Sequence, residues 1–97
     1  MEIRLNNGLL EVRLESFGAE LVGLKDLKNG REYMWQKDPR FWAKCSPILF
    51  PFVGALKENR YFYEGKEYQV KTRHGFARDY EFKVNHQDEK SVEFLFE

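Results

Sequence analysis

The chain has little of what marks covalently braced, membrane-spanning or nucleic-acid-binding proteins. It holds one cysteine in 97 residues, so no internal disulfide can form. No apolar run approaches the roughly 20 residues that a membrane-spanning helix needs, and the N-terminus lacks the apolar stretch of a secretion signal. Lys and Arg together number 16, as do Asp and Glu, so the basic excess usual in nucleic-acid binders is absent. These absences predict a cytoplasmic domain whose partners include neither a membrane nor a nucleic acid.

Ligands for a metal or a nucleotide are also scarce. Two histidines and one cysteine stand far apart, whereas zinc sites need closely spaced ligands. The segment Gly54–Lys57 lacks the glycine spacing and the Lys-Ser/Thr ending of a phosphate-binding loop. Cys45 has no neighbouring base, and the apolar residues around it predict an inert thiol. We therefore expect no metal and no cofactor.

Aromatic residues, in contrast, are abundant: nine Phe, five Tyr and two Trp make up 16% of the chain. Such side chains favour strands and fill cores, and they also stack on the C–H faces of sugars. Core packing is the commoner of these roles. No segment shows helical periodicity over ten or more residues, so the composition and the pattern together predict a mainly β protein.

The alternation of apolar and polar residues places the strands. Residues 2–6 and 9–15 alternate on either side of a turn at Asn6-Asn7-Gly8, which predicts a hairpin. A third strand is predicted at 20–26 and a fourth at 31–35, joined by a turn at Asn29-Gly30. The later strands are predicted at 60–64, 66–71, 80–86 and 91–97.

The stretch 36–54 holds all three prolines and several aromatic residues. Because proline cannot sit inside a central ladder, we predict a long, packed connection with one helical turn near residues 38–42. Apolar alternation also runs to Glu97 with no turn after it. We therefore expect one β domain over 1–97 that is the N-terminal piece of a longer protein. Its apolar faces cannot all be buried, which favours a marginal fold or self-association through an exposed sheet edge.

The sharpest local motif is Arg73-His74-Gly75-Phe76-Ala77-Arg78-Asp79. A glycine after His74 lets backbone approach closely, so the imidazole can face a cleft. The guanidinium of Arg78 can donate two hydrogen bonds to a hydroxyl pair or an anion. A turn stabilised by its own hydrogen bonds is the alternative for the same residues.

Five motifs in order resemble the aldose 1-epimerase family, and in particular its galactose mutarotase-like LacX-type branch. They are Glu32-Tyr33-Met34-Trp35, Asp38-Pro39-Arg40-Phe41-Trp42, Ser46-Pro47-Ile48-Leu49-Phe50-Pro51-Phe52-Val53-Gly54, Gly65-Lys66-Glu67-Tyr68 and His74-Gly75-Phe76-Ala77-Arg78-Asp79. The resemblance covers this whole chain but only about the first third of a family member.

The resemblance implies an antiparallel β-sandwich that binds aldohexoses and interconverts their α and β anomers. In the family a glutamate and a histidine act as general base and acid, and both lie beyond position 97. No catalytic residue is therefore expected within this chain. His74 matches the family's early histidine, which contacts the sugar near its ring oxygen, and Arg78 is assigned to the same cleft. Ala55 stands where many members carry an arginine, and Lys57, Asn59 or Arg60 are candidates to replace that contact.

Two other functions stay open from the sequence alone. The fold can serve as a non-catalytic carbohydrate-binding domain. A small nucleic-acid-binding barrel is suggested only by the aromatic residues 61–63 beside Lys57 and Arg60, and the zero net charge argues against it.

Overall fold

A computed structural model describes residues 1–97. It contains seven strands in three antiparallel sheets of order β1-β2-β3, β4-β5 and β6-β7, together with two 3₁₀ turns at Lys57–Asn59 and Ala77–Asp79. The strands are β1 Glu2–Asn6, β2 Leu10–Glu15, β3 Glu20–Asp26, β4 Arg60–Tyr63, β5 Lys66–Gln69, β6 Lys83–Gln87 and β7 Val92–Leu95. The prediction of a mainly antiparallel β chain is confirmed. The structure has no helix with the length and apolar character needed to cross a membrane.

The first sheet forms as the alternation predicts. Ile3 pairs with Leu14 and Leu5 with Val12 across β1 and β2, which places apolar side chains on one face. The side chain of Asn7 accepts hydrogen bonds from the amides of Leu9 and Leu10 and so closes the turn. The predicted hairpin and third strand are therefore confirmed.

The prediction of a fourth strand at 31–35 is wrong. Only an isolated bridge joins Lys25 to Glu32. The Glu32 carboxylate accepts hydrogen bonds from the amides of Leu24 (2.7 Å) and Met34 (3.2 Å). A side chain thus occupies the donors that a paired strand would use, and the ladder cannot extend.

The strand predicted at 80–86 begins at Lys83, three residues later. The reason is that this segment bonds to the end of the first sheet instead. Gly18 donates to the carbonyl of Tyr80 at 2.7 Å, and Phe82 donates to the carbonyl of Ser16 at 2.9 Å. These bonds attach the last hairpin to the first sheet. The predicted hairpin of residues 60–71 is confirmed as β4 and β5.

The 36–54 connection contains no regular strand or helix, as predicted. The amides of Phe41 and Trp42 both donate to the carbonyl of Asp38, which makes the single turn expected there. The indole N–H of Trp35 donates to the carbonyl of Trp42 at 2.7 Å and closes the loop on itself.

Little of the chain is buried. Eight of 97 residues are enclosed, and the apolar ones among them are Ile3, Val22 and Ala77. No aromatic residue belongs to that set. The molecule measures 54 × 33 × 17 Å, with a radius of gyration of 16.3 Å, whereas a compact chain of this length has about 12.5 Å. The fold is therefore flat and extended, and most of its aromatic side chains are exposed to solvent.

Candidate functional site

His74 and Gly54 form a reciprocal pair of hydrogen bonds. The backbone N–H of His74 donates to the carbonyl of Gly54 at 2.8 Å. The backbone N–H of Gly54 in turn donates to Nδ1 of the His74 ring, also at 2.8 Å. His74 is half-buried and lies in the left-handed region at φ 68°, and Gly54 lies there at φ 81°. The Nδ1 side of the His74 ring is therefore held by Gly54, while its Nε2 side makes no hydrogen bond.

This pairing decides which nitrogen carries the ring proton. A backbone amide is always a donor, so Nδ1 of His74 must accept and cannot hold a proton while the bond exists. The neutral ring then carries its proton on Nε2. No other hydrogen bond reaches the ring, so Nε2–H is a free donor for a hydroxyl or ring oxygen.

Gly75 lets the His74 loop lie directly against the 36–54 connection. Phe50 and Gly75 form a parallel bridge, and the carbonyl of Phe50 accepts from the amides of Phe76 (3.0 Å) and Ala77 (3.2 Å). A Cβ atom at Gly75 would stand 2.0 Å from that carbonyl oxygen. Only glycine fits, which explains in physical terms why it follows the histidine.

Arg78 is oriented by its own loop. Its Nη2 donates to the carbonyl of Arg73 at 3.2 Å, while its buried Nε has no partner. A Cβ atom at Gly18 would stand 2.8 Å from the Arg78 carbonyl oxygen, so the Arg78 backbone packs tightly on that turn. No hydrogen bond joins Arg78 to His74. A role for Arg78 in substrate binding stays a prediction, and the observed contacts fit the alternative of a self-bonded turn equally well.

The family resemblance predicts an arginine contact where Ala55 stands, and the three residues predicted to replace it differ in availability. Arg60 forms ion pairs with Glu58 at 2.5 Å and with Glu67 at 3.1 Å. The backbone N–H of Asn59 donates to the carbonyl of Leu56, and the backbone carbonyl of Asn59 accepts from the N–H of Val70. Lys57 makes no ion pair, so it keeps the freest charged group near Ala55.

Glu20 is a site residue that the sequence argument did not single out. Its carboxylate is buried, accepts from the amides of Cys45 (2.6 Å) and Ser46 (3.0 Å), and lies 3.5 Å from the Lys37 ammonium. Burying a carboxylate is costly unless it is fully hydrogen-bonded. Through these bonds the Glu20 carboxylate fixes the start of the segment 46–54, which carries Phe50 and Gly54. The sequence signal for it was a glutamate at the start of the predicted strand 20–26, within Gly18-Ala19-Glu20-Leu21.

The thiol of Cys45 is suppressed rather than activated. Burial raises the pKa of the thiol, and the nearby Glu20 carboxylate raises it further. A thiol with a raised pKa carries little thiolate at neutral pH and is a poor nucleophile. The prediction of an inert cysteine agrees with this environment.

A cavity of about 430 Å³ lies between β5 and the 75–80 segment. Its lining residues are Gln69, Val70, Lys71, Thr72, Gly75, Phe76, Asp79 and Tyr80. Neither His74 nor Arg78 borders it. The donor edge of His74 and this cavity are therefore separate features of one loop.

The comparisons with known proteins decide the family. A profile of the family described as Aldose 1-epimerase matches residues 1–97. The chain belongs to the aldose 1-epimerase family. The plasmid-encoded Protein LacX of Lactococcus lactis subsp. lactis is 41% identical over 98 residues, which cover 97% of this chain and 32% of that protein.

Two solved structures share the fold. A galactose mutarotase related enzyme from Lactobacillus acidophilus is 38% identical and superposes with a TM-score of 0.93, covering 99% of this chain and 32% of that one. A galactose mutarotase-like protein from Lactobacillus casei is 35% identical with a TM-score of 0.90, covering 97% and 32%. The predicted fold class and family resemblance are thus confirmed. The chain spans about a third of the length of the relatives it matches.

Proposed function

We propose that this chain supplies the N-terminal, sugar-contacting part of an aldose 1-epimerase-like protein that binds aldohexoses and interconverts their α and β anomers. The observation that carries the proposal is the His74–Gly54 pair, which holds the ring with Nε2–H as a free donor. The family membership of residues 1–97 supports the same assignment.

The proposed role of His74 is to bind rather than to transfer a proton. Anomer interconversion needs a base at the anomeric hydroxyl and an acid at the ring oxygen, both placed on one substrate. No carboxylate forms an ion pair or a hydrogen bond with His74. The neutral ring donates one hydrogen bond from Nε2 and orients the sugar, while residues outside this chain supply the acid and the base.

A non-catalytic carbohydrate-binding function is the second candidate. Ala55 favours it, because the side chain that many family members use for a charged contact is reduced to a methyl group here. Both candidates require a sugar contact at His74, so the same experiment tests their shared part.

Saturation-transfer NMR with galactose and with glucose tests the contact, because it detects weak binding without labelling the ligand. We expect signal transfer to both anomers with the unmodified chain and its loss in His74→Ala. His86→Ala is the matched control, since the His86 side chain is 69% exposed and pairs only with Asp88 at 3.8 Å. Equal transfer in all three proteins, or none in the unmodified chain, would contradict the proposal.

A further inference from the structure

Two Asn-Gly pairs lie in turns beside the first sheet, and the two turns hold their asparagines differently. One pair is Asn7-Gly8, between β1 and β2, and the other is Asn29-Gly30, just after β3. All four residues are exposed to solvent. Asn-Gly pairs are prone to deamidation, because glycine has no side chain to hinder attack by its backbone nitrogen on the asparagine carboxamide.

The carboxamide of Asn7 is held by its own turn. Its Oδ1 accepts from the backbone N–H of Leu9 at 2.9 Å and from that of Leu10 at 2.8 Å. Because both donors follow Gly8 in the chain, the Asn7 side chain folds forward across the Asn7-Gly8 peptide bond, which brings its Cγ towards the Gly8 nitrogen. The Gly8 N–H donates to Oδ1 of Asn6 at 2.6 Å, which fixes the orientation of that peptide.

These contacts suit the first step of deamidation. The Gly8 nitrogen gives its proton to hydroxide from the solvent and forms a bond to Cγ of Asn7, whose carbonyl electrons move onto Oδ1. The charge that develops on Oδ1 meets two N–H donors, which is the arrangement of an oxyanion hole. The carboxamide C–N bond then breaks, ammonia leaves with a proton from water, and a cyclic succinimide remains. Addition of water opens the succinimide to aspartate or to isoaspartate.

Asn29 provides a comparison within the same chain. Its Oδ1 accepts from one backbone amide, that of Arg31, at 2.9 Å. The Gly30 N–H donates to the backbone carbonyl of Asp26 at 2.8 Å. The second turn therefore offers a developing oxyanion one donor where the first offers two.

We propose that Asn7-Gly8 is a self-modifying site, at which the folded turn promotes conversion of Asn7 to aspartate and isoaspartate. This chemistry does not depend on the sugar contact of His74. Isoaspartate routes the main chain through the side-chain carbon and so lengthens the turn. The N–H of Asn6 donates to the carbonyl of Glu89 at 2.9 Å, so the modification also disturbs the junction between the first and last hairpins.

Timed incubation at mildly alkaline pH in ¹⁸O-labelled water tests the proposal. Peptide mapping by mass spectrometry then measures label uptake at Asn7 and at Asn29 in the same molecules. We expect Asn7 to react about fivefold faster than Asn29 in the folded chain, the factor that one more hydrogen bond to the developing charge supplies. In urea the two rates should become equal. A ratio that is the same in buffer and in urea, or that favours Asn29 in buffer, would overturn the proposal.

A pair of substitutions at Leu10 tests the role of the second donor. Leu10→Pro removes the N–H at the first residue of β2, a position where a strand tolerates proline. Leu10→Ala is the matched control, since it changes the side chain and keeps the N–H. We expect about a fivefold slower reaction of Asn7 in Leu10→Pro and no change in Leu10→Ala. Equal rates in two folded variants would refute the role of the turn. Circular dichroism checks the fold, and if Leu10→Pro does not fold, the comparison of buffer with urea in the unmodified chain decides alone.

Discussion

Replacing Gly75 with alanine is expected to disrupt the candidate site from within. Gly75 has φ +75°, and an added Cβ atom would stand 2.0 Å from the carbonyl oxygen and 2.4 Å from the carbonyl carbon of Phe50. Both are backbone atoms, which cannot rotate away as a flexible side chain would. The His74 loop and the 36–54 connection must therefore separate.

The size of the effect follows from two costs. An L-residue in the left-handed region costs about 1–2 kcal/mol. Moving the Phe50 carbonyl weakens its hydrogen bonds from Phe76 and Ala77, each worth about 1 kcal/mol net. The sum is a loss of about 3–4 kcal/mol in the free energy of unfolding, against a total of roughly 5–15 kcal/mol for a small domain.

Gly65→Ala is the matched control. Gly65 has nearly the same backbone angle, φ +77°, but an added Cβ atom there meets nothing within 4 Å. Only the conformational cost of about 1–2 kcal/mol applies. Urea unfolding, followed by the fluorescence of Trp35 and Trp42, measures both variants. If Gly75→Ala destabilises no more than Gly65→Ala, the close approach to Phe50 does not constrain the loop and the reasoning is refuted.

Three further results are expected. Backbone hydrogen bonds from Leu24 and Met34, together with Arg13, lower the pKa of Glu32 below its ordinary value of 4.5. The ionised carboxylate therefore stabilises the folded state fully above pH 4.5, and this contribution is lost as the pH falls through the lowered pKa. The urea midpoint of Glu32→Gln should accordingly lie below that of the unmodified chain near neutral pH and converge with it in acid; a constant gap would contradict this. Burial raises the pKa of the Cys45 thiol, so it should react with iodoacetamide more slowly than the thiol of an unstructured cysteine peptide at the same pH. In urea the two rates should become equal. Equal rates without urea would show that the thiol of the folded chain is accessible. Polarimetry should show no acceleration of α-galactose mutarotation by this chain alone, and a rate above buffer that follows the protein through purification would show that an acid–base pair is present.

Local pattern was enough to predict most of the strands, because alternation and turn residues act over a few positions. The hairpin of β1 and β2 and the bounds of β3 depend on Asn7 and on alternating Leu and Val. The failures have a different origin. At 31–35 the Glu32 carboxylate accepts the amide hydrogen bonds that a paired strand would use. At 80–82 the backbone bonds to residues 16 and 18, far away in the sequence.

The candidate site was predictable in its histidine but not in its construction. The sequence places His74 beside a glycine, yet the partner of its ring is Gly54, twenty residues earlier. Likewise the carboxylate of Glu20 bonds to amides at 45 and 46 across a long loop. Such contacts depend on tertiary placement, which neither periodicity nor spacing encodes.

The sugar contact proposed for His74 is tested most directly by long-range ¹H–¹⁵N NMR spectra of its ring, recorded with and without galactose. The ring proton is expected on Nε2, because Nδ1 accepts from the backbone N–H of Gly54. The Nε2 resonance of His74 is expected to shift as galactose is added, while that of the exposed His86 is not. A ring protonated on Nδ1, or a His74 signal that galactose leaves unmoved, would contradict the proposed contact.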